Sequence, residues 1–340
     1  TPPDVFAMDA PLYLDWQSRG VLKNLQPYID ATPGFLDGFY PVTLQVYKQA
    51  DGYYGLPRDF QTIVLYYNKD MFDAAGMAYP TDDWTMADLQ AAAKKLTLDK
   101  DSDGITDQWG FATDLYDMEL FWSEAIWGYG GNVISDDHTR TLLNDGTAHD
   151  AWTFINGMVR DDKSIPDPNQ SQQFGGDPFA AGVAAMTTIG HWVVPQYATL
   201  PFKWDVAAMP AGPAGRATSV NSAGFVMANG SQHPDQAWQL IQYALSSAGQ
   251  TRLTELGFAI PVLPALAPVF LAQTSAPIRE QVFLDALDYA HVKPVFRGYD
   301  EWASVVGEGL LPVWTGDATL DDALSEIVPQ ADDVLANSAQ

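Results

Sequence analysis

Gly52-Tyr53-Tyr54-Gly55-Leu56-Pro57 runs, after a short polar gap, into Thr62-Ile63-Val64-Leu65-Tyr66-Tyr67. The first stretch has the glycine and proline punctuation of a turn. The second is β-branched and aromatic throughout, which predicts a strand. Upstream, Pro3-Asp4-Val5-Phe6-Ala7-Met8-Asp9 is a short apolar run ending in an acid. It predicts a buried parallel strand with a polar side chain at its C-terminal end. Leu12 to Arg19 predicts a short helix stopped by Gly20. Downstream, Thr85 and Asp88 have capping-box spacing, and Met86, Leu89, Ala93 and Leu96 repeat at helical intervals. Pro234 suits the first turn of a helix carrying Ala237, Leu240, Ile241 and Ala244. Thr319 and Asp322 suggest another cap, ahead of Leu320, Leu324, Ile327 and Val328. Strands alternating with such helices predict an α/β protein.

The chain has 340 residues, enough for a sizeable core and two domains. Hydrophobic residues at 47% and charged residues at 18% describe a globular chain. The formal net charge of -26 argues against nucleic acid or anionic membrane as a partner, since both are bound through Lys and Arg. With no cysteine, disulfides, thiolate zinc sites and a cysteine nucleophile are excluded. No apolar run reaches the roughly 18 residues of a membrane-spanning helix. The start at Thr1, with no charged-then-apolar leader, suggests a signal peptide already removed. Nucleophile-elbow, zinc-helix and nucleotide-binding motifs are absent. A glycoside hydrolase is the rival from another class, because its chemistry needs only two carboxylates across a bond. Most acids here fall in surface-like runs such as Asp82-Asp83, Asp161-Asp162 and Asp332-Asp333, and sequence alone pairs none of them.

Six stretches in order resemble the family 1 extracellular solute-binding proteins of ABC importers, the maltose-binding-protein-like group. They are Pro3 to Phe6; Tyr54 to Pro57 with Leu65-Tyr66-Tyr67-Asn68-Lys69-Asp70-Met71-Phe72; and Pro80 to Leu89 around Trp84-Thr85. The others are Phe179 to Trp192, Asn221 to Phe225, and Ala237 to Ile241. The resemblance implies a two-lobed, type II periplasmic-binding-protein-like fold with the ligand between the lobes. One lobe would comprise 1–68 plus 225–278, the other 69–224 plus 279–340. The chain would cross near Asn68, at Ser222 to Phe225, and around Thr274 to Arg279. In the family further strands and helices precede the Pro3–Phe6 strand, so the first lobe is expected to be N-terminally incomplete. The implied role is a monomeric extracytoplasmic binding subunit, periplasmic or lipid-anchored. It would close around a mono- or oligosaccharide, deliver it to a membrane permease, catalyse nothing and require no cofactor.

A sugar offers ring-plane hydroxyls and apolar faces, so its site needs charged or amide groups at the edges and aromatic rings on the faces. The chain supplies 11 Trp, 15 Tyr and 16 Phe. Asp9, at the end of its strand, is either a ligand contact or a cap. Arg58, Asp59 and Gln61 lie between the turn and the strand, where the resemblance places cleft-facing residues; Arg58 and Asp59 could equally form a surface ion pair. Trp127 matches a family position that faces sugar. His191 and Trp192 follow Gly190, whose lack of a side chain permits close approach. Trp192 is the stacking candidate, and His191 is either a contact or a packed, hydrogen-bonded residue. Asn221 and Ser222 sit at a hinge crossing, and Arg297 and Trp302 in an aromatic, glycine-containing stretch. The same fold with another ligand, a glycerol phosphodiester or a polyamine, stays open.

Asp99, Asp101, Asp103 and Asp107, with Gly104 between them, match the start of a calcium loop in which the Ile105 carbonyl would also be a ligand. Gly110 stands where such loops carry a bidentate Glu, so the alternatives are a structural calcium and a polar surface loop.

Overall fold

The structure, a computed structural model, describes residues 3–257, 260–273 and 278–338. The strands that position the site are β1 (Val5–Asp9), β2 (Leu56–Pro57), β3 (Gln61–Thr62), β4 (Val64–Asn68), β5 (Met186–Ile189), β6 (Trp204–Ala207), β7 (Thr218–Asn221), β8 (Ala223–Met227) and β9 (Ala290–Val292). The principal helices are α1 (Met86–Leu96), α2 (Trp122–Gly128), α3 (Gly146–Asn156), α4 (Pro234–Leu245), α5 (Ser247–Glu255), α6 (Tyr299–Thr315) and α7 (Leu320–Ser338).

The β-branched and aromatic run at Val64 becomes β4, central in the sheet β5-β4-β6 and buried along its whole length. Its period of two divides the molecule. Ile63, Leu65 and Tyr67 face a core made with α1, α2, α3, α6 and α7, while Val64 and Tyr66 face a core shared with α4. A strand covered on both faces reads as continuous apolar sequence, which is why this stretch was legible.

A second sheet has the order β1-β8-β2. Here the expectation for Pro3–Asp9 is corrected. β1 runs antiparallel to β8, with Val5 opposite Met227 and Asp9 opposite Ala223, and only Met8 along it is fully buried. The partner β8 starts opposite the end of β1 and runs the other way, and one face of β1 stays partly wet.

Between these sheets sits β9-β7-β3, in which β7 and β9 are parallel. Only Ser222 separates β7 from β8, so the chain passes from the middle sheet to the β1-β8-β2 sheet within one residue. Strand pairing leaves β2's sheet between Pro57 and Gln61 on the way out. Of the expected third crossing, residues 274–277 lie outside the described residues. Arg279, just after them, donates from Nε and Nη2 to the Val206 carbonyl and so docks the returning chain on β6.

The helix signals hold locally. Thr85 and Asp88 form a reciprocal capping box on α1, whose buried face carries Met86, Leu89, Ala93 and Leu96. Thr319 accepts from Asp322 N at 3.2 Å ahead of α7. On α4 the buried face is Ala237, Trp238, Ile241 and Leu245, while Leu240, expected inside, is 55% exposed. Trp238 on the adjacent position takes the core and rotates the face away from Leu240.

Candidate functional site

Where the middle sheet meets the two outer ones, a cavity of about 430 Å3 opens. Its base is the β7–β8 junction, Asn221, Ser222 and Ala223, with Gln61 of β3. One wall is the end of β1, Asp9 to Leu12, with Arg58 and Asp59. The rest of the lining is Glu119, Trp192, Lys293, Tyr299 and Asp300.

The base is rigidly built. Tyr47, fully buried, donates its hydroxyl to the Ser222 carbonyl at 2.9 Å and lies 3.3 Å from the Met8 carbonyl, tying β1 to β8. Gly224 must be glycine: a Cβ there would stand 2.4 Å from the Tyr47 ring. Ser222 Oγ donates to the Asp59 carbonyl at 2.7 Å. Asp59 is buried and takes Arg58 Nε at 2.7 Å, and its other oxygen accepts from Ala223 N at 3.3 Å. Burial raises the Asp59 carboxyl above its ordinary value, and Arg58 opposes that shift. Asn221 Nδ2 donates to Ser219 Oγ at 3.3 Å, whereas its Oδ1 is buried without a partner among the described residues. A buried acceptor left unpaired beside a cavity is suited to a ligand hydroxyl.

Lys293, almost fully buried, donates to Glu119 Oε2 at 2.8 Å and lies 4.8 Å from the centre of the Tyr299 ring. Burial alone would lower its ammonium; Glu119, Tyr299 and Asp117 outweigh that and hold it above its ordinary value. Trp192 is 38% exposed at the mouth, and its ring lies on Gly190 so closely that a Cβ there would be 1.9 Å from it. The glycine expected to allow close approach does so, and the approach is by Trp192 itself.

Asp9, Arg58, Asp59, Gln61, Trp192, Asn221 and Ser222 therefore meet at one cavity. The other four candidates do not line it. His191 turns inward, 1% exposed, with Nε2 2.8 Å from Glu280 Oε2 and its ring between Phe270 and Phe283. Consecutive residues of the turn after β5 point opposite ways, so only Trp192 reaches the cavity. Trp302 is fully buried on α6, donating to Thr141 Oγ1 at 3.0 Å. Arg297 is exposed ahead of α6 and outside the cavity. Trp127 donates to Asn132 Oδ1 at 3.2 Å and stacks on His291, ring centroids 4.7 Å apart, in a separate small pocket. Sequence reasoning missed Glu119, Lys293, Tyr299 and Asp300. Lys293 did carry a signal: a lone cation within Ala290-His291-Val292-Lys293-Pro294-Val295-Phe296, an apolar stretch where a charge must find a partner.

In the acidic loop, carboxylate oxygens of Asp99, Asp101 and Asp107 lie within 4.8 Å of one another. Asp103 is not among them; its Oδ1 accepts from Ile105 N at 2.7 Å. Asp99 is already occupied by the backbone N–H groups of Ser102, Asp103 and Gly104.

The profile of the bacterial extracellular solute-binding proteins matches residues 1–251, and the chain belongs to that family. A relative from Brucella abortus, named only as a binding protein, is 25% identical over 328 residues, spanning 95% of this chain and 77% of its own. Among solved structures, the ABC substrate-binding protein Lmo0181 of Listeria monocytogenes, in complex with cycloalternan, superposes with a TM-score of 0.87 at 25% identity. It covers 99% of this chain and 85% of its own. UgpB of Mycobacterium tuberculosis, in complex with glycerophosphocholine, has a TM-score of 0.84 at 17% identity and covers 100% and 85%. These likenesses establish the two-lobed architecture. No helix among the described residues is long and apolar enough to cross a membrane.

Proposed function

We propose that this chain is the binding subunit of an ABC importer for a neutral carbohydrate, and that it releases its ligand unchanged to a membrane permease. The observation that carries the choice of ligand is the pairing of charges in the cavity. Four carboxylates, Asp9, Asp59, Glu119 and Asp300, and two cations, Arg58 and Lys293, line it. Each cation is held by a carboxylate, Arg58 by Asp59 at 2.6 Å and Lys293 by Glu119 at 2.8 Å. An anionic phosphodiester would have to break one of these pairs and face two further acids. A neutral polyol instead meets acceptors for its hydroxyls, including the unpaired Asn221 Oδ1, and an exposed tryptophan face for its C–H groups. The cycloalternan bound by the Listeria protein supports the same class. Carboxylates facing solvent also suit a cation, so polyamines are the competing ligand class.

The mechanism follows from where the walls come from. Ligand that touches both walls gains contacts only when they approach, so it favours the closed form by its differential affinity. The lobes would divide at 1–68 with 225–278 and 69–224 with 279–340. We propose extracytoplasmic action as a monomer, with no cofactor needed for binding. A structural calcium on Asp99, Asp101 and Asp107 belongs to the same proposal; its support is the convergence of those three carboxylates.

The test is a thermal-shift screen with neutral mono- and oligosaccharides, glycerophosphocholine, spermidine and calcium chloride. A ligand of the native state raises the melting temperature by mass action. Shifts with one sugar class support the proposal. Shifts confined to glycerophosphocholine or spermidine overturn the carbohydrate assignment, and no shift with calcium removes the ion.

A further inference from the structure

We propose that Glu124 is a neutral carboxylic acid that acts as a positioning residue, hanging the hinge strand β7 and the cleft residues Glu119 and Asn221 on the core of the β4 side. Glu124 lies on α2, is fully buried, and forms no ion pair among the described residues. Its Oε1 accepts from Ser219 N at 3.1 Å and from Ser219 Oγ at 2.7 Å. Ser219 in turn stands 3.2 Å from the Glu119 carbonyl and accepts from Asn221 Nδ2 at 3.3 Å. One carboxyl thus fixes the residue from which the orientation of Asn221 and the backbone of Glu119 are set.

The second oxygen shows where the proton is. Ser123 Oγ lies 2.7 Å from the Met118 carbonyl and 3.1 Å from Glu124 Oε2. A hydroxyl has a single hydrogen, and the carbonyl, which can only accept, takes it at the shorter distance. The contact between Ser123 Oγ and Oε2 then needs a hydrogen from Glu124. The placement follows from donor arithmetic, and burial without a cation points the same way.

Desolvation pushes Glu124 up to about 8, while the hydrogen bonds it accepts from Ser219 pull the other way. Around α2 the titratable groups are Asp117 and Glu119 on the turn before it, His149 and Asp150 on α3, His291 on β9, and Arg216 in the loop at its end; β7 has none. Asp117 is pushed up to about 6 by burial and by Glu119, Glu119 holds Lys293, His149 holds Asp321, and Arg216 donates to the Met209 carbonyl. Asp150 is exposed, and His291 stacks on Trp127. None of them bonds Glu124. An unfolded Glu loses its proton near 4.5 and the folded one near 8, so the folded state holds the extra proton between those values. Stability from this residue is complete below that window and is lost as pH rises through it.

The inference holds whatever solute the cleft takes, and its test needs none. Infrared spectra at neutral pH should show a buried carboxylic acid band that Glu124→Gln abolishes. The Asn221 side-chain amide resonances, assigned with Asn221→Ala, should shift in wild type between about pH 7 and pH 9 and stay fixed in Glu124→Gln, which keeps an uncharged partner. Ser219→Ala should displace them at every pH, in a sample whose circular dichroism matches that of the wild type. Absence of the band, a band that persists in Glu124→Gln, or Asn221 resonances untouched by Ser219→Ala would overturn the assignment.

Discussion

Trp192 and Trp302 separate two uses of the same side chain. Trp192 is 38% exposed and held over Gly190, so its free face is available to a ring of C–H groups. Trp192→Ala should weaken carbohydrate binding at least tenfold, about 1.4 kcal/mol, with the melting temperature of the free protein nearly unchanged. Trp302 is fully buried and hydrogen-bonded to Thr141. Trp302→Phe should do the reverse, lowering stability by about 1–3 kcal/mol in denaturant titrations while leaving affinity intact. Residues were legible where neighbours share one local geometry, as Arg58, Asp59 and Gln61 do between β2 and β3. His191 was open because the direction of a side chain in a turn depends on Phe270 and Phe283, distant in sequence. Glu119 and Lys293 were missed for the same reason: each makes sense only beside the other.

At the scale of elements, the β7–β8 junction depends on close backbone packing. In Gly224→Ala the new methyl must displace the Tyr47 ring, whose hydroxyl ties β1 to β8. The variant should lose about 1–3 kcal/mol of stability, read as a lowered denaturant midpoint. Gly190→Ala should instead swing Trp192 away and reproduce the affinity loss of Trp192→Ala, by calorimetry. The elements themselves were legible from Val64–Tyr67, the Thr85–Asp88 box and Pro234, because cap chemistry and strand composition are local. The direction of β1 was not, since it is decided by β8, more than half the chain away.

The whole molecule is an acidic body, and in its cleft both cations are paired with acids. Net charge of -26 makes long-range attraction of anions unfavourable, while a neutral solute is indifferent to it. The β9-β7-β3 sheet, joined by the chain to both other three-stranded sheets, carries the base of the cavity. The direct test of the central claim is calorimetric titration of the wild-type protein and Trp192→Ala with neutral oligosaccharides and, separately, with glycerophosphocholine and spermidine. The account predicts saturable binding of a neutral sugar by the wild type, at least tenfold weaker binding by the variant, and no binding of the charged solutes. Saturable binding of a charged solute, with all sugars inert, would contradict it.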